Sequence, residues 1–133
     1  MRQSLGLIAL ILFVAGLSFV LSAQDQQGGR QINIILTGAD PDGTGTARLT
    51  FSPGKNQVCY ELAVDKIAPA NSAHIHSGIA EQSGPPVVTL ASKGCAPLEQ
   101  EKIMDILKNP SNYYVDVHTS EFPNGALRGQ LAK

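Results

Sequence analysis

Along most of this chain apolar side chains alternate with polar ones at a period of two, the pattern of strands that bury one face. Short stretches rich in Val, Ile, Tyr and Thr are separated by Gly, Pro, Asn and Asp. The spacing predicts strands at 31–37, 46–52, 57–65, 72–77, 85–91, 113–119 and 126–131. GADPDGTG at 38–45 and SPGKN at 52–56 supply the positive-φ and fixed-φ residues that chain reversals need. One segment changes period. In LEQEKIMDILK at 98–108, Leu98, Ile103, Ile106 and Leu107 fall largely on one helical face, and Asn109-Pro110 stops the run. The whole reads as an all-β sandwich or barrel with one short helix laid over an end of the core.

Parity then assigns faces. In 58–65, Val58, Tyr60, Leu62 and Val64 form the inward set, which leaves Cys59, Glu61 and Asp65 outside. In 73–76, Ala73 and Ile75 point inward and His74 and His76 outward. In 113–118, Tyr113, Val115 and Val117 are inward and Tyr114, Asp116 and His118 outward. In 126–131, Leu127, Gly129 and Leu131 are inward and Arg128 and Gln130 outward.

The N-terminus departs from this alternation. Arg2, the unbroken apolar stretch from Leu5 to Leu21, and small residues at Ser22 and Ala23 have the layout of a secretory signal, so residues 1–23 are expected to be a signal peptide and 24–30 (QDQQGGR) a flexible leader. The alternative is an uncleaved membrane anchor at residues 5–21, and a membrane contact is expected only in that case. Cleavage leaves 110 residues, enough for one modest core, and the domain is placed at 31–133. Nine basic residues then stand against eleven acidic ones, with no basic run, which argues against nucleic acid as a partner. Cys59 and Cys95 are the two cysteines, and an even count in an oxidising compartment predicts a disulfide tying the outside of a strand to a later loop.

All three histidines have outward parity, and His74 and His76 sit at the i, i+2 spacing that puts both imidazoles on one side of a strand. Neutral imidazole is a common ligand of copper and zinc, so His74, His76 and His118 are a candidate surface metal set, against the alternative of solvated or hydrogen-bonded histidines. Asp116 shares a face with His118 and is either a further ligand, a carboxylate fixing an imidazole tautomer, or a solvated strand residue. Arg128 is expected to pair with Asp116 or Glu61 across strands, or to hold an anion. Asp40 and Asp42 begin like a calcium loop whose later ligands are missing. No G-x-S-x-G elbow, glycine-rich phosphate loop or paired catalytic carboxylates are present, so no catalytic residue and no organic cofactor is assigned.

AHIHSGIAEQSGPPVVTL at 73–90, the helix with YYVDVHT at 98–119, and FPNGALRGQL at 122–131 together resemble the CHRD family, the small domain first described in chordin and found singly in many exported microbial proteins. The resemblance implies a Greek-key-type sandwich or barrel of immunoglobulin-like or superoxide-dismutase-like form. It departs from the family at Ala126, where members often carry an acidic residue. His74-Ile75-His76 is also similar to the copper strand of Cu/Zn superoxide dismutase, whose copper takes four histidines where this chain has three. Three functions follow as expectations. The first is a secreted or periplasmic, non-enzymatic domain with a copper or zinc site. The second is an extracellular interaction module whose histidines, Tyr114 and Arg128 meet a protein or polysaccharide. The third is a dismutase-like redox enzyme.

Overall fold

Period-two segments form strands, and each finds its partner by burying its apolar parity. In the computed structural model, which describes residues 28–133, the order is β1 (Arg30–Leu36), β2 (Thr44–Ser52), β3 (Gln57–Asp65), β4 (Ala70–Ser77), β5 (Pro86–Leu90), β6 (Lys93–Pro97), α1 (Gln100–Lys108), β7 (Tyr113–Thr119) and β8 (Leu127–Gln130). The expected signal segment at 1–23 and residues 24–27 of the leader lie outside the described residues. No helix among the described residues is long and apolar enough to cross a membrane.

The strands make two four-stranded antiparallel sheets, ordered β1-β2-β3-β6 and β5-β4-β7-β8. The fold is therefore the all-β sandwich that the pattern predicts. Ile34, Leu36, Leu49, Phe51 and Val58 of the first sheet face Ile75, Val88, Val115, Val117 and Leu127 of the second, all buried. Each such side chain contributes about 1.5–3 kcal/mol by leaving water. At one edge the sheets are sewn together by a bridge between Thr37 and Arg128, which exchange backbone bonds of 3.0 and 2.6 Å.

At one end of the sandwich α1 lays Ile103 and Ile106, both fully buried, on the core, with Leu98 just ahead of it. The Tyr113 hydroxyl donates to Asp105 on the helix, which fastens α1 to the start of β7. At another point the sheets part over a cleft of about 400 Å³ lined by Leu62, Val64, Ala73, Leu90 and Val117. Val64 is 38% exposed there, so its inward parity does not amount to burial.

Two expectations need correction. An eighth strand, β6, occupies KGCAP, whose Gly94 and Pro97 hide it from a pattern search; as an edge strand paired only with β3 it tolerates both. Cys95 thus lies on a strand and not in a loop. It stands directly opposite Cys59 in the β3–β6 register, and the two form the disulfide.

Candidate metal centre

The site is made by strand pairing. β4 and β7 lie side by side in the centre of the second sheet, in a register that sets His74 opposite Asp116, Ser72 opposite His118 and His76 opposite Tyr114. Because Ile75, Val115 and Val117 are held in the core, the alternate residues His74, His76, Asp116 and His118 must share the other face. Asp116 sits at the centre. Its Oδ2 lies 3.0 Å from His76 Nε2 and 2.9 Å from His118 Nε2, and its Oδ1 lies 3.4 Å from His74 Nδ1. His74 Nδ1 and His118 Nε2 are 3.3 Å apart.

In His76 and His118 the other ring nitrogen is already committed. His76 Nδ1 is 2.7 Å from the Gly84 carbonyl and His118 Nδ1 is 2.8 Å from the Pro123 carbonyl. A carbonyl only accepts, so both Nδ1 atoms carry the proton and donate. In the neutral rings Nε2 is then a bare lone pair, and both point at a carboxylate that also has only lone pairs to offer. His76 Nε2 and Asp116 Oδ1 are buried with no hydrogen-bond partner. A cation at this point, a metal ion or the proton of an imidazolium, turns mutual repulsion into attraction.

The four donors, one atom from each residue and all within 4.8 Å of one another, can hold a metal ion. The bonds of a tetrahedral zinc site, about 2.0–2.1 Å, require donor–donor edges of about 3.3–3.4 Å. Individual contacts of 2.9, 3.0, 3.3 and 3.4 Å are of that size, but they engage both Asp116 oxygens, and the donor set as a whole spans up to 4.8 Å, so the ring is wider than a closed tetrahedron.

The face is not the open surface that parity suggests. Asp116 is 1% exposed, Tyr114 fully buried and His76 9% exposed, because the loops at 78–85 and 120–126 fold over it. Only His74 and His118 keep a modest edge toward solvent. Tyr114 and His76 are therefore not the surface residues that their outward parity suggests. Within the covering loops Gly84 runs so close to Ser77 that an added Cβ would fall 1.7 Å from the Ser77 carbonyl oxygen. Gly125, at φ +115, occupies backbone that other residues rarely adopt.

Arg128 is opposite Asp116 in the β7–β8 register yet pairs with neither Asp116 nor Glu61. Its guanidinium donates to the Ala80 and Asn124 carbonyls, while Glu61 meets Arg48 and Lys93 on the far sheet. The carboxylate already faces imidazoles, and the loop carbonyls are in reach of both arms of the fork. Asp40 accepts the Asp42 amide in a turn of its own. Ala126 is fully buried, and its amide donates to the Val117 carbonyl. The sequence does not single out Gly84 and Pro123 as parts of the site; the Gly-Pro-Pro and Phe-Pro-Asn-Gly runs announce turns, but nothing in them says that the turns close over β4 and β7.

The chain matches the CHRD domain family over residues 18–131 and belongs to that family. No curated protein and no solved structure matches it.

Proposed function

We propose that this protein is an extracellular CHRD domain that binds one zinc or copper ion through His74 Nδ1, His76 Nε2, His118 Nε2 and Asp116, in a non-enzymatic role. The observation that carries the reading is the pair of buried, partnerless atoms His76 Nε2 and Asp116 Oδ1 within a ring of four donors. Three imidazoles and a carboxylate suit either ion, and zinc accepts four such ligands in a closed site. The chain has three histidines where a dismutase copper takes four, which counts against a dismutase-like cycle. The disulfide fits an oxidising compartment, and export through cleavage after Ala23 is part of the same proposal.

Metal analysis of protein purified from the periplasm or medium, stripped and reloaded with zinc or copper, tests it. Wild type retains one equivalent through desalting, and His76→Ala and Asp116→Asn retain none. Equal metal content in wild type and His76→Ala would sink the proposal and leave an imidazolium–carboxylate cluster as the reading of the site.

A further inference from the structure

The metal-facing nitrogens of His76 and His118 are aimed by carbonyls from two separate loops, and one side chain outside the donor set holds both loops. Arg128 Nη1 donates to the Ala80 carbonyl at 2.9 Å, in the loop that carries Gly84. Its Nη2 donates to the Asn124 carbonyl at 2.7 Å, one residue beyond Pro123. The guanidinium carbon lies 5.3 Å from the centre of the Tyr114 ring. Tyr114 in turn stacks on His76, with ring centres 4.9 Å apart and planes 5° from parallel, and its hydroxyl accepts the Gly84 N–H at 3.0 Å. The backbone of Arg128 is itself fixed by the paired bonds with Thr37.

Resting on the metal reading above, we propose that Arg128 is a positioning residue for the metal site: its guanidinium clips the 78–85 and 120–126 loops together, so that the Gly84 and Pro123 carbonyls hold His76 and His118 as Nδ1–H tautomers with Nε2 turned to the ion. A planar fork with donors on two arms is what the task needs, since each arm reaches a different loop while the flat face rests on Tyr114. The ammonium of a lysine is a single point and cannot span both carbonyls in that plane.

Charge and positioning predict opposite signs. Removing a cation beside a divalent-ion site would tighten binding by relief of repulsion, whereas losing the clip frees the carbonyls that orient the ligands, a change that typically weakens metal binding 10- to 100-fold. The test is a zinc competition titration against a chromophoric chelator for wild type, Arg128→Met, Arg128→Lys and His76→Ala. Imidazole nitrogen–proton correlation spectra of the metal-free proteins are recorded alongside. Arg128→Met should bind zinc about 10- to 100-fold more weakly, Arg128→Lys should fall between it and wild type, and His76 and His118 should change from one Nδ1–H tautomer to a mixture. Unchanged or tighter zinc binding with unchanged tautomers in Arg128→Met overturns the clip while leaving the metal reading intact. If wild type itself holds no zinc, the metal reading fails and the tautomer spectra alone decide the clip. Should Arg128→Met not fold, the same two readouts on Arg128→Lys decide it.

Discussion

Replacing Cys59 and Cys95 together by alanine removes the one covalent link between β3 and β6. The bridge spans a sequence separation of 36. In the chain-entropy treatment a loop of about that length costs the unfolded chain roughly 13 cal/mol/K, or about 4 kcal/mol at 25 °C. For a domain near 100 residues that corresponds to a fall in Tm of about 15–30 °C. The location of the bridge adds a local consequence. β6 is an edge strand paired only with β3, and Lys93, Cys95 and Pro97 are exposed, so little apolar burial holds it in place. Its amides should therefore exchange faster in the variant by more than the global loss explains. Thermal unfolding by circular dichroism and amide exchange followed by NMR measure the two effects. A Tm drop below about 5 °C would correspond to roughly 1 kcal/mol and would refute the reasoning.

Three further predictions concern the core and the helix contact. Ile75 is fully buried between the two sheets, with His74 and His76 on either side of it in sequence, and Ile75→Ala should cost about 2–5 kcal/mol in urea unfolding; a cost under about 1 kcal/mol would mean that the sheets do not close there. The Tyr113 phenol is pushed from 10.0 up to about 12, by burial first and then by its bond to Asp105. The unfolded chain therefore loses that proton at lower pH than the folded one. The contribution is present below pH 10 and is lost as pH rises toward 12, visible as falling Tm in alkaline buffer and as a tyrosine that ionises late by ultraviolet absorbance. The same bond, followed by that from Asn109, holds Asp105 below the usual carboxylate range, and Asp105→Asn should lower the pH at which Tyr113 ionises.

Strand parity was legible because the core fixes it: Ile75, Val115 and Val117 are inward, and the alternate residues follow. The helix announced itself through Ile103, Ile106 and the Asn109-Pro110 stop. β6 was not legible, since an edge strand with little to bury needs no hydrophobic pattern. Nor was the placing of His118 beside His74, which depends on β4 and β7 being neighbours although they are joined through β5, β6 and α1. Outward parity was also mistaken for exposure at His76, Tyr114 and Asp116, because period-two reasoning describes a bare sheet and carries no term for loops that fold over it. Arg128 shows the same limit: its cross-strand partner by register is Asp116, but its bonds go to loop carbonyls that no strand pattern could place.

The proposed site is a metal ion enclosed by His74, His76, His118 and Asp116. X-ray absorption fine structure on the zinc-loaded, desalted protein tests it most directly. The expected result is one zinc per chain with nitrogen and oxygen neighbours at about 2.0–2.1 Å, the multiple-scattering pattern of three imidazoles, and no sulfur. Zinc lost on desalting, or a shell of water oxygens without imidazole scattering, would contradict it.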